Sequence, residues 1–420
     1  MSWTMPQTRP NPVYMTALPS SRYLDRKSPP HITTLVLIAG AGAIPMNMFL
    51  ASLPEMARFF GQPYAIMQLT LTAYLALTSV AQLILGPISD RVGRRPVMIG
   101  ALILYIAASL AAAHATTFEW FMTFRCLQAV IVTGFVVSRA AVRDMVAREK
   151  AASLLGYVSM GMALAPMMAP PIGGILADLF GWQSNFYAMA AIGFLTLIIV
   201  YFDQGETNMN KSVSFTEQFK SYPELVRSRR FWGYTFTLVF AVGTFFAFLG
   251  GAPFVGDKIY GLSASEVGAY LSITPLGYMI GSGISGRFSA RIGLYRMILT
   301  GALITLLGMV PTLLTALLGV QHPLGFFGFT FAIGFGNGLI LPSANAGMLD
   351  VRPQLAGSAA GLGGSLMTLG GAGLSTLAGF FLTETSGAYP LIACILGAST
   401  LCLISALYTI AIEKRMRGPV

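Results

Sequence analysis

Gly86-Pro87-Ile88-Ser89-Asp90-Arg91-Val92-Gly93-Arg94-Arg95-Pro96 links two long apolar runs, and its reading decides the fold. Gly93 permits a tight reversal of the chain. Arg91, Arg94 and Arg95 hold the link at a water-facing surface. Asp90 is placed to pair with an arginine or to sit at a helix N-terminus, where negative charge is favoured. The stretch has a twin: Gly86, Ser89, Arg91 and Gly93 return as Gly286, Ser289, Arg291 and Gly293 in GRFSARIGLYR. A repeat of this length means that one architectural unit occurs twice.

The solvent of that architecture follows from composition. Apolar residues make up 55% of the 420 and charged residues 10%, against about 25% charged in soluble domains. Mean hydropathy is +0.69. So little charge cannot cover a water-facing surface of this size, and the chain reads as membrane-embedded. A bilayer crossing takes about 20 apolar residues, and lipid requires backbone groups to be paired internally, so the runs are helices. They fall at 32–54, 65–86, 96–114, 119–139, 151–177, 185–203, 231–251, 265–286, 297–317, 324–346, 355–382 and 389–411, twelve crossings in two sets of six. The expected organisation is a polar, Pro-rich tail over 1–31, a six-helix half over 32–203, a linker over 204–230, a second half over 231–412 and a short tail over 413–420.

The formal net charge of +10 belongs to orientation and not to nucleic acid, because the basic residues lie in alternate links. Arg91, Arg94, Arg95, Arg139, Arg143, Arg148, Lys150, Lys211, Lys220, Arg227, Arg287, Arg291, Arg296, Arg352 and Lys414 fall on one side with both tails, and only Arg58 and Lys258 on the other. That side is expected to be cytoplasmic. Cys126, Cys394 and Cys402 each sit in an apolar run without pairing or metal-ligand spacing, and read as small core residues.

Three motifs carry functional information. The first is the link at Gly86–Pro96. The second is Arg125-Cys126-Leu127-Gln128 in the fourth span, where a charge at depth faces a cavity or a partner. The third is the run Gly156, Gly161, Ala165, Pro166, Ala169, Pro170, Pro171, Gly173, Gly174 in the fifth span, whose small residues and prolines allow close, kinked packing. The eleventh span, with Gly357, Gly361, Gly363, Gly364, Gly370, Gly371 and Gly373, is its counterpart in the second half.

The first link closely resembles the loop between helices 2 and 3 of the major facilitator superfamily. Arg125 and Gln128 resemble the fourth-helix Arg-x-x-Gln of its drug/proton antiporters. Pro170, Gly173 and Gly174 resemble the antiporter motif Gly-Pro-x-x-Gly-Gly, with Ala169 for the first glycine. Together with Gly181-Trp182-Gln183-Ser184-Asn185-Phe186 and Gly251-Ala252-Pro253-Phe254, they make the chain look like the bicyclomycin-resistance branch. The resemblance implies a conformational latch at Gly86, Asp90, Arg91, Gly93, Arg94 and Arg95, and an exporter motif at Pro166, Pro170, Gly173 and Gly174. It further implies alternating access, export of small amphipathic or neutral drug-like molecules from the bacterial inner membrane, exchange for protons, no cofactor or metal, and a monomer among membrane lipids.

One departure matters. Where that branch carries a first-helix aspartate, this chain reads Pro45-Met46-Asn47-Met48, and asparagine does not titrate. No other acid lies mid-span: Glu55, Glu119, Asp144 and Asp178 are at span ends, and Asp257 and Glu266 follow the seventh. His114 closes the third span. Folds with such repeats place the substrate near the midplane between halves. The candidates there are Asn47, Met48, Tyr74, Arg125, Gln128, Phe245, Phe248, Asn337 and Asn345. Arg125 favours neutral or anionic ligands over cations. The alternatives are an uncoupled facilitator, or an exporter of one metabolite or siderophore. A membrane-embedded enzyme is disfavoured by three scattered histidines and no mid-span acid, and no Walker loop is present for ATP.

Overall fold

The computed structural model describes residues 21–145, 148–208, 222–352 and 355–417. The tail before residue 21 and linker positions Lys211, Glu217 and Lys220 lie outside the described residues. What is described is helical almost throughout. In chain order the long helical segments are α1 (Ile32–Phe59), α2 (Tyr64–Val92), α3 (Arg94–Ala113), α4 (Phe118–Met145), α5 (Arg148–Phe180), α6 (Gln183–Asp203), α7 (Arg229–Ile259), α8 (264–292), α9 (Leu294–Leu317), α10 (Leu324–Leu349), α11 (Ala356–Phe380) and α12 (Tyr389–Arg417).

Among the described residues nine of these are long and apolar enough to cross a bilayer: α1, α2, α3, α4, α6, α7, α9, α10 and α12. In α5 the described apolar stretch is Ala165–Phe180. α8 and α11 are rich in glycine, serine and threonine, which dilute their hydropathy while letting helices approach closely. Among the described residues α8 and α11 are therefore not reached on length and hydropathy alone.

Local chemistry sets the breaks. Gly93 (φ +122°) and Gly293 (φ +90°) reverse the chain between α2 and α3 and between α8 and α9. Each donates its N–H to the serine carbonyl four residues earlier, Ser89 at 3.1 Å and Ser289 at 2.9 Å. The sequence twin is thus a structural twin. α1 is interrupted after Asn47, near Pro45, and restarts at Leu53 through a 3₁₀ turn over Leu50–Ser52. In α4 a 3₁₀ turn over Gln128–Val132 interrupts the helix just past Arg125.

α1 packs on α5 and α3 on α6, while α7 packs on α10, α11 and α12, and α10 on α8 and α9. The two sets meet chiefly through α2 against α11 and α5 against α8. The bundle has a terminal end, where Gly93, Asp203, Arg229, Gly293 and Arg417 lie, and a distal end at Gly61, Gly181 and Gly261.

Polar contacts between the two sets run from the distal end to the middle. Arg58 meets Asp257 at 2.9 Å. The Tyr64 hydroxyl donates to the Gly250 carbonyl (2.6 Å), and Gln68 Nε2 donates to the Ser375 carbonyl (2.8 Å). Thr376 donates to Thr72 (2.9 Å), and Ser365 to the Ser79 carbonyl (3.2 Å). The Asp178 carboxylate accepts from the Ala264 and Ser265 backbone N–H groups (3.1 and 2.9 Å).

Candidate functional site: a buried arginine without an acid

Arg125 is fully buried in the last turn of α4 before the 3₁₀ interruption. Its Nη2 donates to the Pro45 carbonyl of α1 at 2.6 Å, and its Nη1 to Gln128 Oε1 at 2.6 Å. The guanidinium lies over the Phe49 ring (4.3 Å) and the Tyr74 ring (4.1 Å). Gln128, also fully buried, donates from Nε2 to Ser109 Oγ of α3 (2.8 Å), with Met189 Sδ of α6 at 4.0 Å. These two side chains together tie α1, α2, α3, α4 and α6.

The electrostatics are unusual. A buried charge costs several kcal/mol unless paired. Here the compensation is a carbonyl, an amide oxygen and two π-faces, each ring contributing about 0.5–2 kcal/mol. Among the described residues no carboxylate reaches Arg125, and its Nε has no hydrogen-bond partner. The site is a fixed cation among neutral groups.

The other candidates divide. Asn47 is buried, but its Nδ2 donates to the Ala43 carbonyl of its own helix at 2.8 Å, and its Oδ1 is unpaired. Met48 is buried, and its carbonyl fills the place where a Cβ on Gly173 of α5 would stand. Phe248 packs against Phe326 and Phe327 inside the second set of helices, and Phe245 is half-buried beside Phe246. Asn337 donates to the Ala241 carbonyl of α7 (2.9 Å). Its Oδ1 is unpaired, and it lines a gap with Thr244, Thr305, Ser399 and Cys402 that has no room for water. Asn345 is half-buried further along α10. The structure thus gathers Arg125, Gln128 and Tyr74, and leaves Phe248 against Phe326 and Phe327 and Asn337 in its own gap. Sequence reasoning missed Phe49 and Ser109. Nothing in their spacing marks either residue as a partner of Arg125 or Gln128.

The Gly86–Pro96 link is held within the first six helices. Arg94 pairs with Asp90 and with Asp144 (3.3 Å), and donates to Ser89 Oγ (2.6 Å). Glu206, just past α6, accepts the Arg94 and Arg95 backbone N–H groups at 2.9 and 3.2 Å, capping α3. Arg95 reaches the Tyr201 carbonyl (2.8 Å), and Arg91 is exposed. Glu206 was not singled out from sequence. In α5, Pro166 is half-buried, a Cβ on Gly174 would overlap the Ala264 carbonyl of α8, and the Pro170 carbonyl lies where a Cβ on Gly268 would stand. The fifth-helix motif is therefore wedged between α1 and α8.

Residues 35–375 match the Major Facilitator Superfamily profile, most of the chain. The chain belongs to the major facilitator superfamily. It is 32% identical over 359 residues to an uncharacterized MFS-type transporter, YdgK, of Bacillus subtilis (strain 168), covering 84% of this chain and 88% of that one. It is 26% identical to a bicyclomycin resistance protein homolog of Haemophilus influenzae (84% and 90% covered) and 28% identical to a chloramphenicol resistance protein of Pseudomonas aeruginosa (77% and 76%). A bacterial homolog of the human lysosomal transporter Spinster, solved in an inward-facing and unoccupied conformation, superposes with a TM-score of 0.71 at 14% identity, covering 93% of this chain and 98% of that one. The likeness to the bicyclomycin-resistance branch of the drug/proton antiporters is borne out, and with it a multi-pass transporter of the bacterial inner membrane, not an enzyme.

Proposed function

We propose that this transporter exports small drug-like molecules by alternating access, as a monomer with twelve crossings, two six-helix halves and both termini cytoplasmic. The Arg125 nest carries the reading. It places a polar anchor deep among apolar and aromatic walls, as suits neutral or anionic amphipathic ligands. Resistance proteins among the relatives support the drug-like class. Export in exchange for protons is the mode implied by that branch.

A second reading, proton-independent transport, is favoured by one observation: no carboxylate meets Arg125 among the described residues, and Asn47 stands where an acid is expected. Everted vesicles with an acid interior separate the two. Addition of a neutral drug is expected to dissipate the gradient only when the protein is present. Drug movement down its own gradient without any proton flux would leave the uncoupled reading standing. Replacing Arg125 with alanine should abolish transport while folded protein stays in the membrane, and unchanged export by that variant would remove the nest from the mechanism.

A further inference from the structure

Two side chains close the distal end in a manner suited to release. Gln68 of α2 is 1% exposed and enters a hole made by small residues of the other helix set. Its Nε2 donates to the Ser375 carbonyl (2.8 Å) and Oγ (3.2 Å) of α11. Its carboxamide also occupies the space where a Cβ on Gly250 of α7 or on Gly379 of α11 would be. Only glycine at those two positions leaves room for it. The amide is half satisfied, since its Oε1 has no hydrogen-bond partner. An open distal end would give that oxygen water, which offsets part of the two contacts with Ser375 that withdrawal gives up and leaves the lock weak enough to open.

Asp178, at the end of α5, does the corresponding work on α8. Both carboxylate oxygens accept backbone N–H groups, from Ala264 and Ser265, at the start of a helix belonging to the other set. That helix also caps itself. Ser263 Oγ accepts from Glu266 N–H (3.3 Å), and Glu266 Oε2 accepts from Ser263 N–H (2.9 Å). Departure of Asp178 therefore leaves α8 capped and the carboxylate in water, with no buried charge stranded.

We infer that Gln68 and Asp178 are releasable locks of the distal gate, beside the Arg58–Asp257 pair and the Tyr64–Gly250 bond, holding α2 to α11 and α5 to α8 until the bundle opens on that side. The inference rests on the alternating-access part of the proposed function, and not on its substrate or its driving ion.

The test uses the full chain in lipid nanodiscs. Spin labels go at Glu119→Cys and Gln321→Cys, exposed distal positions on either side of the gate, with Cys126, Cys394 and Cys402 replaced by alanine. Pulsed dipolar spectroscopy reads the ratio of long to short distances. Gln68→Ala and Asp178→Asn are each expected to raise that ratio about fivefold, the weight of one net hydrogen bond. Gly379→Ala, which removes no polar group and favours the helix, should raise it similarly while Gln68 is present. It should add nothing in the Gln68→Ala background, where the hole is empty. A long-distance population that is present in the parent and unmoved by Gln68→Ala and Asp178→Asn overturns the locks alone. A single short distance in the parent and every variant overturns alternating access with them. Thermal unfolding of each variant in detergent, unchanged within a few degrees, separates gate opening from loss of fold.

Discussion

Arg125 shows how a deep charge can be housed without an acid. Its two terminal nitrogens diverge to partners on different segments, the Pro45 carbonyl and Gln128 Oε1, and its flat faces lie over Phe49 and Tyr74. A lysine reproduces the charge but neither the fork nor the flat faces. Arg125→Lys is therefore expected to lose most drug export, measured in the same everted vesicles, whereas a full-rate lysine variant would reduce the nest to its charge alone. Asn47→Asp offers the reverse experiment. It places a titratable group two residues from Pro45, and is expected to add transport of a lipophilic cation such as ethidium, read by fluorescence. At this scale the sequence disclosed Arg125 and Gln128, because a charge and an amide within an apolar run stand out. It did not disclose Phe49, since a phenylalanine in a span looks the same whether it faces lipid, a neighbouring helix or a guanidinium.

Glycines in this bundle are not equivalent, and spacing alone could not rank them. Gly173 and Gly174 face backbone, the Met48 carbonyl of α1 and the Ala264 carbonyl of α8, whereas a Cβ on Gly364 or Gly373 would meet nothing within 4 Å. Gly173→Ala should lower stability by about 1–3 kcal/mol through overpacking. Gly373→Ala should be neutral or slightly stabilising, because alanine is the better helix former. Thermal unfolding in detergent compares the two, and equal shifts would contradict the packing. The helices themselves were legible from hydropathy and the Gly93 and Gly293 turns. The far ends of α2, α4, α7, α8 and α12 were less so: each helix runs six or more residues past its expected end, beyond the apolar stretch that marks the crossing.

For the molecule as a whole, unequal charge at the two ends of the bundle sets the expected orientation. Alkaline phosphatase fused after Gly319, in the distal link between α9 and α10, should be active, and the same enzyme fused after Val420 inactive. The opposite pattern would invert the orientation drawn from the arginines. The repeat was readable as GPISDRVGRRP and GRFSARIGLYR, and so was its asymmetry, because Ala290 is plain in the second copy. Arg94 has Asp90, Asp144 and Ser89 around it, while Ala290 takes the place of the aspartate in the second copy. The same short exit from α6 holds more than α3. Asp203 accepts from the Leu24 and His31 backbone N–H groups at 2.7 and 2.9 Å, and Thr207 donates to Asp144 at 3.2 Å. Residues 203–208 are thus stitched to the start of α1, the start of α3 and the end of α4. A chain severed after Asn208 would keep these ties whole on its first fragment. The gene could then be expressed as two polypeptides that meet again in the bilayer, the first already carrying the contacts that end its helices.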